Sequence, residues 1–109
     1  MPNNPSNPPN GTYTSTCEAD YSSWDGTFTY NNGAIEYTLT SDPQNPLSAT
    51  NKSNGNAIVF DLTLNGETVQ FNGSSFSWQP GDTKAKYSGK CHTQGPVANL
   101  DGWTASQTS

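Results

Sequence analysis

The stretch AIVFDLTLNGETVQFNGSSFSW, residues 57–78, decides the fold. Two Asn-Gly dipeptides, Asn65-Gly66 and Asn72-Gly73, separate short runs in which apolar and polar residues alternate. Asn-Gly is the strongest short-range hairpin signal, because both central residues of a type I′ turn need φ > 0. A two-residue loop at Asn65-Gly66 sets Leu62 opposite Val69 and Phe60 opposite Phe71. Asp61 then faces Gln70, and Thr63 faces Thr68, on the other side of the sheet. A second loop at Asn72-Gly73 sets Val69 opposite Phe76 and adds Ser75 and Ser77 to the polar face. Turn chemistry and burial select the same register, with Val59 the one exception, so a three-stranded meander is expected here.

Upstream, Asp25-Gly26 and Asn32-Gly33 bracket TFTYN as two more candidate loops. Pairing across Asn32-Gly33 puts Tyr30 opposite Ile35 and Phe28 opposite Tyr37, with Thr29 facing Glu36. Pairing across Asp25-Gly26 puts Tyr21 opposite Tyr30 and Ser23 opposite Phe28. That register leaves Trp24 beside the turn, on the face away from Phe28 and Tyr30, and so exposed. Tyr13 to Ala19 reads as the first strand. Ser41 to Asn56 is turn-rich, with Leu47 its only large apolar residue, and reads mostly as loop. Downstream, Gln79-Pro80-Gly81-Asp82 is a turn into Lys84 to His92, and Val97 to Ser106 reads as a last hairpin around Asp101-Gly102.

No segment has helical periodicity. The fold class is therefore all-β, an antiparallel meander of about eight to ten short strands closed as a small β-barrel or β-sandwich with one disulfide. Residues 1–11, MPNNPSNPPNG, form a Pro/Asn-rich leader expected to be disordered and unable to join a sheet ladder, and residues 12–107 form a single β domain.

Composition narrows the function classes. Of 109 residues, 29% are hydrophobic, 11% aromatic and 12% charged, with a net charge of −5. A thin core is thus supplemented by aromatic rings beneath a neutral skin of Asn, Ser, Thr and Gly. Four lysines and no basic cluster argue against a nucleic-acid partner. No apolar run is long enough for a membrane span. Cys17 and Cys91 lie near opposite ends of the folded region, and a small domain with a thin core commonly needs such a staple, so a Cys17–Cys91 disulfide and an extracellular, secreted setting are expected. The sequons at Asn10, Asn51 and Asn72 agree with that setting, although a chain this rich in Asn, Ser and Thr produces sequons by chance.

Catalytic signals are sparse. His92 adjoins Cys91, but neighbours on a strand point to opposite faces and a disulfide would consume the thiol. The nine carboxylates fall mostly in turns or on the polar face, where capping and solvation account for them. No metal and no cofactor is assigned: one His without a Cys-x-x-Cys pair does not make a zinc site, and no Asp pattern has calcium-loop spacing. Carbohydrate fits the composition best, since Trp and Tyr rings stack on sugar C–H faces while neutral side chains bond the hydroxyls. The first reading is a secreted, non-catalytic carbohydrate-binding protein or module with a glycan or polysaccharide as partner. Its ligand residues are Trp24, Asp25, Asn31 and Asn32, while Trp78 and Trp103 are assigned to the core. The alternatives are a barrel enclosing a small apolar ligand among Phe28, Tyr37, Phe60 and Phe71, and a secreted effector acting on a partner protein. A small hydrolase comes last.

Overall fold

Among the described residues the alternating runs form eight antiparallel strands, and each strand pairs with the next until the last returns to the first: a closed up-and-down barrel. The computed structural model describes residues 8–55, 57–77, 84–93 and 102–109, with 76 and 77 by backbone only. The strands are β1 Gly11–Thr16, β2 Gly26–Asn31, β3 Ala34–Leu39, β4 Leu47–Asn51, β5 Ile58–Leu64, β6 Glu67–Ser77, β7 Lys86–Thr93 and β8 Trp103–Gln107. A 3-10 segment, Ala19–Trp24, lies between β1 and β2. Closure removes the free strand edges that an open sheet of this kind would expose. It also settles barrel against sandwich, which turn chemistry leaves open.

Two of the Asx-Gly readings hold in full. Asn32 and Gly33 have φ of 50° and 95°, and Asn65 and Gly66 have φ of 53° and 79°, so both pairs form the left-handed turns that their chemistry favours. Across the first, Phe28 pairs with Tyr37 and Tyr30 with Ile35. Across the second, Phe60 pairs with Phe71 and Leu62 with Val69. Both registers are those expected.

Two more are overturned, for one shared reason, and the fifth, Asp101-Gly102, falls partly outside the described residues. Asn72-Gly73 is no turn: β6 runs straight through it, with a register shift between Asn72 and Ser75, and Val69 pairs onward with Thr93. Gly73 is needed for space, because a Cβ there would come within 2.8 Å of the Trp103 ring and 2.9 Å of Tyr87 Cβ. Asp25-Gly26 is no hairpin either. Gly26 opens β2, where a Cβ would meet Tyr37 Cε1 at 2.8 Å as well as the Thr38 carbonyl. Tyr21 and Ser23 lie in the 3-10 segment, and β2 pairs instead with β1, Tyr13 facing Phe28 and Gly11 facing Tyr30.

Three boundaries also move. The turn-rich 41–56 region contributes β4, which pairs Leu47 with Tyr37 and Asn51 with Phe60 and completes the wall between β3 and β5. The first strand ends at Thr16, not Ala19. The end of the leader belongs to the fold: Pro8 is buried, the Tyr13 hydroxyl donates to the Pro9 carbonyl at 2.7 Å, and Gly11 opens β1. Residues 1–7, the Gln79–Asp82 turn with Trp78, and the Val97–Asp101 part of the last hairpin lie outside the described residues.

Inside, aromatic rings occupy the barrel axis. Phe60 and Phe71 stack at 4.8 Å, Tyr13 and Phe28 at 5.0 Å, and Trp103 meets Phe71 edge-on at 5.7 Å. Such pairs add roughly 0.5–1.5 kcal/mol each beyond area burial. One polar chain threads this core. Trp103 Nε1–H donates to Ser15 Oγ at 2.8 Å, and Ser15 Oγ lies 2.8 Å from Tyr37 Oη, which also bonds the Trp24 carbonyl. A carbonyl only accepts, so the Tyr37 proton goes to Trp24 and Ser15 donates to Tyr37. Ser15 is 1% exposed and satisfies two groups buried around it, the Trp103 N–H and the Tyr37 hydroxyl.

Candidate functional site

The up-and-down topology gives the barrel two rims. The upper rim carries Pro8–Asn10, the Asn32-Gly33 turn and the segment after β4. The lower rim carries Cys17–Asp25, the β3–β4 connection and the Asn65-Gly66 turn. The four expected ligand residues divide between them: Trp24 and Asp25 precede β2 and Asn31 and Asn32 follow it, separated by the strand's length of roughly 20 Å.

Trp24 is not exposed. It is 7% accessible and belongs to the core cluster, because the 3-10 segment folds its ring inward over the lower rim. Asp25 is scaffold, its Oδ1 accepting the Cys17 backbone N–H at 2.7 Å. Cys17 is bonded to Cys91 with Cα atoms 5.9 Å apart, which ties the end of β1 to β7 across 74 residues of sequence. Asp25 and the disulfide therefore hold the lower rim closed. His92 Nδ1 lies 2.7 Å from the Thr93 carbonyl, and Cys91, being disulfide-bonded, offers no thiol.

Asn31 and Asn32 are exposed at the upper rim. There a cleft of about 400 Å³ is lined by Pro8, Asn10, Tyr30, Asn32 and Gly33. Asn10 and Asn32 pair reciprocally across it. Asn10 Nδ2 donates to Asn32 Oδ1 at 3.0 Å, and the Asn32 backbone N–H donates to Asn10 Oδ1 at 2.9 Å. Asn51 braces the floor by donating from Nδ2 to the Gly33 carbonyl at 3.0 Å. A carboxamide carries two donor protons and two acceptor lone pairs, so one pairing leaves Asn10 with capacity on both sides of the amide. The cleft lining holds no ionisable group but the Tyr30 phenol. Asn10, Pro8 and Tyr30 were not expected in the site; the only sequence signal for Asn10 was its sequon, which says nothing of the turn it meets.

One further expectation meets the geometry directly. Phe28, Tyr37, Phe60 and Phe71, proposed to enclose a small ligand, are each at most 1% exposed and stack on one another, so rings occupy the space such a ligand would take. The polar face of β5 and β6 satisfies itself: Thr63 and Thr68 hydroxyls lie 2.7 Å apart, and Gln70 donates to Asp61 at 3.1 Å. Among the described residues no cluster of three His, Cys, Asp or Glu could hold a metal ion, and no helix is long and apolar enough to cross a membrane.

Burial shapes the titration of three tyrosines. The Tyr13, Tyr37 and Tyr87 phenols are all held well above the ordinary tyrosine range, chiefly by desolvation; Tyr30 adds to the effect at Tyr13, and Tyr13 and Tyr30 add to it at Tyr87. At Tyr37 the bond with Ser15 partly offsets burial, and the charge of Asp25 reinforces it.

Fold and cleft together define a cross-linked, ring-filled eight-stranded barrel with a neutral amide cleft at one rim. Compared with protein-family models, curated proteins and solved structures, the chain matches none.

Proposed function

We propose that this is a secreted, non-catalytic carbohydrate-binding protein whose site is the upper-rim cleft. The observation that carries the reading is the cleft's two neutral amides, Asn10 and Asn32, held by their reciprocal bonds beside Tyr30 and Pro8. Sugar hydroxyls both donate and accept, and a carboxamide does the same in one rigid plane, so prepositioned Asn side chains suit them without any charge. Asn31 and Asn32 keep the ligand roles read from the sequence, and Asn10 joins them; Tyr30, buried in the core cluster like Trp24, only walls the cleft. Trp24 and Asp25 leave the site. The disulfide supports an oxidising, extracellular setting.

A glycan array tests this, using protein made in a bacterial host so that the Asn10 sequon carries no sugar. The control variant is Asn32→Gly, which deletes the amide but keeps a residue suited to φ of 50°. Binding of neutral glycans that is lost in this variant is the expected result. No binding above background, or binding unchanged by the substitution, rules the reading out.

A further inference from the structure

The cleft does not stop at the rim. A second depression, of about 440 Å³, is lined by Asn10, Gly11, Thr12, Thr29, Tyr30 and Asn31, and shares Asn10 and Tyr30 with the first. It lies over the outer faces of β1 and β2. Below it the registers place hydroxyl beside hydroxyl. Thr12 faces Thr29 and Thr14 faces Thr27, with Ser106 of β8 and Thr38 of β3 extending the second row to four adjacent strands. Thr14, Thr27 and Thr29 are exposed. We infer that the upper-rim cleft continues as a track down β1 and β2, and that its ligand is a linear neutral glycan several units long, not a single terminal sugar. This inference rests on the carbohydrate reading above.

Spacing, charge and the absence of anchors on this wall each bear on the occupant. Hydroxyls repeat about every 4.8 Å across strands and about every 6.8 Å along them, and from Asn31 to Thr27 the track runs about 14 Å, the length of a short oligosaccharide. Such a surface suits a chain that presents hydroxyls repeatedly. Charge favours a neutral chain: the protein carries −5, and Glu36 flanks the upper row opposite Thr29, while exposed Lys86, paired with Ser106, ends the second row, so the track presents one charge of each sign at its margins and none along it. A protein partner would seek exposed aromatic or Arg anchors. The two rows offer it Thr and Ser.

Calorimetric titration with cello-, laminari- and manno-oligosaccharides, from mono- to hexasaccharide, tests the track. In the series that binds, affinity is expected to rise about tenfold from disaccharide to hexasaccharide. The double variant T14V/T27V removes two hydroxyls outside the cleft while keeping strand-forming shapes, and thermal melts verify its fold. It should abolish that rise and leave disaccharide affinity within about twofold. Affinity that is flat with length, or a length dependence that survives in T14V/T27V, overturns the track but leaves the cleft reading standing. Failure of every oligosaccharide to bind overturns both.

Discussion

The two rims of this barrel put the same residue types to different uses. At the lower rim Asp25 accepts a backbone N–H from Cys17, the Trp24 carbonyl accepts the Tyr37 hydroxyl, and the disulfide fastens β1 to β7. Each of these groups is buried or main-chain constrained. At the upper rim Asn10 and Asn32 answer each other in the open. What separates the rims is therefore exposure and remaining capacity and not the kind of partner: Asn10 and Asn32 are exposed and keep amide groups free for recognition after pairing.

The largest expected effect comes from breaking the lower rim. Replacing both cysteines by alanine releases a closure spanning 74 residues and should lower unfolding free energy by about 4–5 kcal/mol on the chain-entropy account, read from urea denaturation. If the rims are independent, the folded fraction of that variant still binds at the upper rim. A loss of under about 1 kcal/mol would show that the lower rim is held by packing alone.

Next is Ser15→Ala, which strands the buried Trp103 N–H and deprives Tyr37 of a donor. A cost of about 2–3 kcal/mol is expected in the same assay, and a comparable one for Tyr37→Phe, which strands the buried Trp24 carbonyl and the Ser15 proton. A cost under about 0.5 kcal/mol for either would mean that the buried chain does not hold the core.

Alkaline pH gives a third comparison. The Tyr13, Tyr37 and Tyr87 phenols are raised by burial, so the folded state disfavours their ionised form. For groups raised in this sense, stability is fully present below the unfolded tyrosine pKa of about 10 and falls as pH rises above it. Tyrosinate absorbance from these three should therefore appear only as circular dichroism reports unfolding. Their ionisation in a protein that is still folded would contradict the burial.

The smallest stability effect belongs to the upper rim. Asn31→Ala, at an exposed position, should change stability by within about 0.5 kcal/mol while weakening glycan binding. A stability loss comparable to that of Ser15→Ala would make Asn31 scaffold and erase the contrast between the rims.

Much of the fold was legible because two signals reinforced one another at Asn32-Gly33 and Asn65-Gly66, where turn chemistry and apolar alternation fixed the same partners. They parted at Asn72-Gly73 and Asp25-Gly26. Glycine serves two purposes that look identical in sequence, the left-handed turn and the missing Cβ. Gly73 and Gly26 serve the second, beneath Trp103 and beside Tyr37. Reading Asp25-Gly26 as a turn carries Trp24 outward, whereas its ring is buried, and the four expected ligand residues divide between the two rims. Asn31 and Asn32 stayed together because their hairpin was read correctly. Asn10 reaches Asn32 from 22 residues away, through the pairing of β1 with β2 that the misread turn concealed.

The sequence by itself determined the all-β class, the two true hairpins with their registers, the cysteine pair and the neutral polar surface. Each follows from local dihedral preference, side-chain period or composition. Closure into a barrel, the recruitment of β4, the inward turn of Trp24, the Ser15 chain and the Asn10–Asn32 cleft were decided only by tertiary structure. All of these depend on which distant strands become neighbours, and that is set by competition for space around a crowded aromatic core, which no local pattern records.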